Sequence, residues 1–259
     1  MIEKIIENTD IHYWTNENQG SSSILFIHPA FANHTCFESQ LEYFKDKHKV
    51  IAIDLIGHGK SQGKTSLADT AQQIEKILDI ENIKKINLVG ISIGAILIQD
   101  FANKYPNRVV SLCCIGGYDI NNFDSSIQKE NSKEQMKMVL KAIFSIKAFA
   151  KATMKISVYT KVAQDKFYNM NIHFKKSSFR HFASLNQLVN KYKTHTRDYP
   201  LMIGVGKHDN DMAIKAAKMW FESESNSQFV IFDNAGHVVN MDTPNEFNSI
   251  LEEFLEKAK

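Results

Sequence analysis

The chain predicts an α/β fold: a mostly parallel eight-stranded sheet with helices on both faces and a helical cap inserted after the sixth strand. Three observations predict it. Short apolar runs bounded by turn residues alternate with segments whose apolar residues recur at helical spacing, the pattern of a sheet wound with crossover helices. Two early strand-like segments come before the repeated strand–helix alternation, which begins only from the third strand. One long stretch, residues 121–193, interrupts the alternation with apolar and basic sequence and no clear strand.

Taken in order, strands are expected near 3–7, 10–15, 23–28, 49–53, 85–90, 108–115, 200–205 and 227–232, and helices near 36–46, 67–80, 93–104, 211–222 and 244–257. The first decapeptide, Met1-Ile2-Glu3-Lys4-Ile5-Ile6-Glu7-Asn8-Thr9-Asp10, carries charges inside its apolar pattern and so reads as a strand rather than a signal peptide. The runs at 23–28, 49–53 and 108–115 are short, apolar and rich in Ile and Val, as buried strands are. Residues 85–89 end apolar before a turn, and residues 93–104 then carry apolar side chains at helical spacing. Pro200 opens the seventh apolar run, and the eighth ends at Phe232 before a turn. Residues 1–120 and 194–259 would form the core and residues 121–193 the cap, all within one domain, for which 259 residues are sufficient.

Composition narrows the class. A 43% hydrophobic and 23% charged chain of net charge +2 is ordinary for a globular protein and argues against disorder. No uninterrupted apolar run is long enough to cross a bilayer, so a cytoplasmic protein without membrane insertion is expected. Cys36, Cys113 and Cys114 are odd in number and lack metal-ligand spacing, and they read as reduced core residues. The histidines form no metal motif, and Gly57-His58-Gly59 lies in no complete nucleotide-binding loop. Neither a metal nor another cofactor is expected, and no aromatic-basic motif points to nucleic acid.

Charge is uneven. Between Lys129 and Lys193 fourteen Lys or Arg face three acids, Glu130, Glu134 and Asp165. A solvated lysine-rich helical face is the plain reading. Steering of anionic substrates or docking on an anionic surface is the alternative. The apolar residues of the same stretch, among them Met136, Met138, Val139, Leu140, Ile143, Phe149, Phe174 and Phe182, exceed what the cap's own helices would cover, so some are expected to line an apolar pocket.

The most telling motif is Leu88-Val89-Gly90-Ile91-Ser92-Ile93-Gly94-Ala95, a serine between two glycines where an apolar strand gives way to a helix. Such a turn strains the serine backbone and exposes its hydroxyl at a helix N-terminus, where developing negative charge is favoured. An ordinary strand-to-helix turn with a serine cap would look the same as a pentapeptide. Downstream, Leu201-Met202-Ile203-Gly204-Val205-Gly206-Lys207-His208-Asp209 places a carboxylate just past a strand, and Phe229-Val230-Ile231-Phe232-Asp233-Asn234-Ala235-Gly236-His237 does the same for a histidine. The order Ser, Asp, His suits a relay in which His237 takes and returns the Ser92 proton and Asp209 fixes the imidazole tautomer. Asp119 and Asp211 are rivals for the acid, whereas Asp233 is too close in sequence to face His237 easily.

These residues resemble the alpha/beta-hydrolase fold superfamily in its cap-bearing branch. Besides the Ser92 elbow, the likeness rests on Ile27-His28-Pro29-Ala30-Phe31-Ala32, on Asp54-Leu55-Ile56-Gly57-His58-Gly59-Lys60-Ser61, and on Ala235-Gly236-His237 followed by Asp242-Thr243-Pro244. The resemblance implies a catalytic triad of Ser92, Asp209 and His237. It implies an oxyanion hole from the backbone N–H of Ile93 and one from the loop after His28. Pro29 has no N–H to give, so Ala30 is preferred and Phe31 comes second, with Phe31 also a substrate-binding candidate. His28 is expected to orient its loop rather than act as a base. The implied activity is hydrolysis of a small to medium carboxylic ester or thioester through an acyl-enzyme, by a monomer or homodimer. Two alternatives stay open: carbon–carbon hydrolysis or a lyase step with the same triad, and a slow-turnover ligand-sensing protein.

Overall fold

The computed structural model describes residues 1–18, 20, 22–123, 141–142, 144–192 and 196–258. Eight strands form one sheet: β1 (Ile2–Ile5), β2 (His12–Thr15), β3 (Ser23–Ile27), β4 (Lys49–Ile53), β5 (Ile86–Ile91), β6 (Val109–Ile115), β7 (Leu201–Gly206) and β8 (Ser227–Phe232). Their spatial order is β1-β2-β4-β3-β5-β6-β7-β8. The β1–β2 and β2–β4 pairs are antiparallel and every pair from β4 to β8 is parallel.

The order holds the first functional clue. From β3 the chain moves to β4 on one side, then returns to place β5 on the other side of β3. This reversal opens a crevice at the carboxyl ends of β3 and β5, where open α/β sheets bind ligands. Ile27 pairs with Gly90, so the loop carrying Ala30 and the turn carrying Ser92 emerge side by side.

Alternation along the strands divides the core in two. Leu25, Ile27, Leu88, Leu112, Cys114 and Ile203 pack with α2 (Thr70–Ile80), α3 (Ile93–Lys104) and α6 (Asp211–Ser223), through side chains such as Ile74, Phe101 and Trp220. Phe26, Val89, Cys113, Met202 and Phe232 belong to the opposite face, covered by α1 (Glu38–Phe44) and α8 (Pro244–Lys257) through Phe44, Phe247, Leu251 and Phe254. Each large apolar side chain fully buried in this way stabilises the fold by about 1.5–3 kcal/mol. Adjacent Cys113 and Cys114 point to opposite faces, and all three cysteines are buried and unpaired.

Two helix starts differ from the sequence expectation. The helix expected from 36 opens instead as a 3-10 segment, His34–Phe37, because the Asn33 side chain accepts the Thr35 N–H at 2.9 Å and starts the turn early. The helix expected from 67 likewise opens as the 3-10 turn Leu67–Asp69, fixed by a reciprocal Ser66–Asp69 capping box.

Between β6 and β7 lie α4 (Ile146–Ser157), α5 (Lys161–Asn171) and a 3-10 segment, Lys176–Leu188. The expected pocket residues Met136, Met138, Val139, Leu140 and Ile143 fall outside the described residues, as do Lys129, Glu130, Glu134 and Lys193 of the basic stretch. Lys147, Lys151 and Lys155 recur every four residues on the exposed side of α4, as a solvated helical face requires. A short helix, α7 (Val239–Asp242), precedes α8. Among the described residues no helix is long and apolar enough to cross a membrane.

Candidate active site

Ser92 stands between β5 and α3 with φ +56° and ψ −117°. A side chain in that conformation costs on the order of 1–3 kcal/mol, so surrounding structure must impose it. The Ser92 N–H donates to Ile115 O at 2.7 Å, tying the turn to the end of β6. The flanking glycines let strand and helix meet. A β-carbon on Gly90 would lie 2.4 Å from the Gly94 carbonyl carbon, and one on Gly94 would lie 2.2 Å from Ile27 O. The Ser92 side chain makes no capping hydrogen bond to α3, so the simple reading of a serine cap does not describe this turn.

His237 and Asp209 reach the same sheet edge from the loops after β8 and β7. The His237 Nδ1–H donates to Asp209 Oδ2 at 2.7 Å. Asp209 Oδ1 accepts the Asn210 N–H at 2.7 Å and the Asn210 side-chain amide at 3.0 Å. Burial pulls the His237 pKa down, but the charge and hydrogen bond of Asp209 outweigh it and hold the imidazole above its ordinary value. The ring lies against Gly116, whose added β-carbon would sit 2.8 Å from His237 Cε1. Gly116 directly follows Ile115, the residue that fixes Ser92. Among the described residues no hydrogen bond joins the Ser92 hydroxyl to the imidazole. Such contacts commonly tighten only with substrate in place.

The rival acids are engaged elsewhere. Asp119 is bound by the Arg197 guanidinium at 2.5 Å, and the same guanidinium holds Glu224 at 2.5 Å. Asp211 is exposed in the first turn of α6. Of the acids that follow a strand in the sequence, Asp209 is the one paired with His237.

The loop after β3 is shaped by a turn in which the Ala32 N–H donates to Pro29 O at 3.3 Å, setting Phe31 at φ +67°. Among the described residues the N–H groups of Ala30, Phe31 and Ile93 donate to no protein acceptor, as donors awaiting a ligand oxygen would. His28 orients this loop: its Nδ1–H donates to Pro29 O at 2.7 Å and its Nε2 accepts the Leu55 N–H at 3.0 Å. Burial pushes the His28 pKa down to about 4, so it is neutral near pH 7 with both nitrogens occupied.

Against this loop packs an aromatic cluster that includes Phe149, Phe174 and Phe182, three of the residues expected to line a pocket. The Phe31 ring meets Phe149 at 4.9 Å, Phe174 at 5.1 Å, Phe182 at 5.4 Å and Phe179 at 5.9 Å between centroids. His58 lies alongside, 5.1 Å from His28 and 5.2 Å from Phe174. Burial drives the His58 pKa down to about 3, and among the described residues its buried Nε2 has no hydrogen-bond partner. Among the described residues no group of His, Cys, Asp and Glu is arranged to hold a metal ion.

Comparison with known proteins gives this geometry a family. The family model for the alpha/beta hydrolase fold matches residues 23–244. The chain belongs to the alpha/beta hydrolase fold family. It is 24% identical over 262 aligned residues to monoacylglycerol lipase ABHD6 of Bos taurus, covering 90% of this chain and 75% of that one. It is 23% identical to (E)-2-((N-methylformamido)methylene)succinate hydrolase of Acinetobacter baylyi, covering 99% of each. Among solved structures, a carboxylesterase of the thaumarchaeon Nitrososphaera gargenis superimposes with a TM-score of 0.81 at 21% identity, covering 99% of this chain and 98% of that one, which shows the shared fold.

Proposed function

We propose that the protein is a serine hydrolase that cleaves small to medium carboxylic esters or thioesters through a Ser92 acyl-enzyme. The observation that carries the reading is the 2.7 Å His237–Asp209 pair at the sheet edge where Ser92 is held in a strained turn. Ser92 Oγ attacks the acyl carbon as His237 Nε2 takes its proton, and the Nδ1–H bond to Asp209 stabilises the resulting imidazolium. The N–H groups of Ala30 and Ile93 receive the oxyanion. Collapse expels the alcohol or thiol with the proton from His237, and water activated by the same imidazole then releases the acid and restores Ser92.

The helical insertion acts as the cap over this site. Phe31, Phe149, Phe174, Phe179 and Phe182 give the acyl side an apolar aromatic wall, which suits uncharged acyl chains better than charged ones. The test is fluorophosphonate labelling together with hydrolysis of p-nitrophenyl acetate, butyrate and octanoate by wild type and Ser92→Ala. Labelling and chain-length-dependent turnover, both lost in the variant, are the expected result. Undiminished turnover in Ser92→Ala overturns the reading.

A further inference from the structure

The Asp242 carboxylate, on the last residue of α7 just past His237, is buried without a cationic partner among the described residues. Instead it collects donors from two separate parts of the chain. From the turn between α4 and α5 it accepts the Tyr159 N–H at 2.9 Å, the Thr160 N–H at 2.7 Å and the Thr160 hydroxyl at 2.9 Å. From the loop after β8 it accepts the N–H of Gly236, the neighbour of His237, at 2.9 Å.

The contact is reinforced on both sides. The Val238 N–H donates to Ser157 O at 2.9 Å, so His237 is flanked by one residue bonded to Asp242 and one bonded to the insertion. The Tyr159 ring stacks parallel on His208 at 3.8 Å, directly beside Asp209 in sequence. The His208 N–H in turn donates to Ala235 O at 2.9 Å, which braces the acid loop against the histidine loop. Residues 157–160 thus grip both loops that carry the His237–Asp209 pair.

We propose that Asp242 is a positioning residue that fastens the α4–α5 turn to the His237 loop, so that seating of the insertion sets the placement of His237 against Ser92. This rests on the proposed role of His237 as the base. The chemistry favours a carboxylate here. Three backbone N–H groups and a hydroxyl all point at it, and two of the N–H groups lie at the N-terminal end of α5, where negative charge is stabilised. An amide in its place would turn an NH2 group toward those donors and lose half of the acceptors. The insertion is then more than a cover for substrate: its α4–α5 turn is part of the scaffold of the base.

The experiment compares wild type, Asp242→Asn, Asp242→Glu, Thr160→Ala and Tyr159→Ala, with Ser92→Ala and His237→Ala as references. The measurements are kcat and KM for p-nitrophenyl butyrate, thermal unfolding by circular dichroism, and the strongly deshielded imidazole Nδ1 proton by NMR. Asp242→Asn is expected to lower kcat at least tenfold with KM within about twofold, and to weaken or abolish the deshielded proton that His237→Ala also removes. Asp242→Glu, which keeps a carboxylate, is expected to recover most of kcat and the proton signal. Should Asp242→Asn fail to fold, Thr160→Ala and Tyr159→Ala carry the test, each with kcat reduced several-fold at unchanged KM. Folded variants with wild-type kcat and an undisturbed proton signal overturn the proposal. If Ser92→Ala keeps activity, the hydrolase reading fails, whereas the proton signal still reports whether Asp242 positions His237.

Discussion

Acid should weaken this fold through two buried histidines, His28 in the candidate oxyanion loop and His58 packed beside it, and replacing one of them should make the protein less sensitive to pH. His28 and His58 are fully buried, with pKa values pushed down to about 4 and about 3. In the unfolded chain each would titrate near ~6.5. A histidine whose folded pKa is depressed is neutral in the native state while the unfolded chain takes up the proton, so stability falls as pH drops below ~6.5. At pH ~5.5 the unfolded imidazole is about 90% protonated, and RT ln 11 gives a loss of about 1.4 kcal/mol per histidine relative to pH ~7.5. His237 has the opposite sign, since its folded pKa is raised and its contribution is lost as pH rises. Comparing wild type with His58→Leu cancels that contribution. The assay is urea unfolding by circular dichroism at pH ~5.5, ~6.5 and ~7.5. The variant should start less stable, having lost the His58 Nδ1–H bond to Ile56 O at 3.1 Å. Between the two pH extremes it should then lose about 1.4 kcal/mol less than wild type. An equal loss in both proteins would refute the burial argument.

Three further outcomes follow from the same geometry. Asp209→Asn should lower kcat by about three to four orders of magnitude while unfolding stays cooperative, because an amide no longer fixes the Nδ1–H tautomer; Asp119→Asn should instead spare kcat and cost stability by weakening a buried pair with Arg197, and the reverse pattern would reassign the acid. Gly94→Ala should cost about 2–3 kcal/mol or more in urea unfolding, since its β-carbon would lie 2.2 Å from Ile27 O and both partners are backbone; an unchanged midpoint would show that β3 and α3 can separate freely. Phe31→Ala should move the p-nitrophenyl ester preference toward longer or bulkier acyl chains, because the ring at the centre of four phenylalanines is removed; an unchanged chain-length profile would place the acyl group elsewhere.

The sequence and the structure agree most closely where local pattern decides. Apolar runs such as 49–53 must be strands when both faces are covered, and Lys49–Ile53 is buried at every position. The Ser92 turn was legible because Gly-x-Ser-x-Gly records two steric needs, and both appear as close backbone approaches at Gly90 and Gly94. The Asp242-Thr243-Pro244 motif was visible as a string, yet nothing in it told that the carboxylate would collect N–H groups from Tyr159 and Thr160, more than eighty residues earlier. The phenylalanines around Phe31 could be counted in the sequence but not aimed.

The sequence by itself determined the strand and helix pattern, the elbow at Ser92, and the order in which a serine, an acid and a histidine arrive at strand ends. These follow from side-chain periodicity and backbone sterics, which act over a few residues. The tertiary structure alone decided that Asp209 meets His237 while Asp119 meets Arg197, that the insertion grips the His237 loop, and that His28 and His58 are buried neutral. Those outcomes depend on which loops share the carboxyl edge of the sheet, and that is set by strand order across the whole chain.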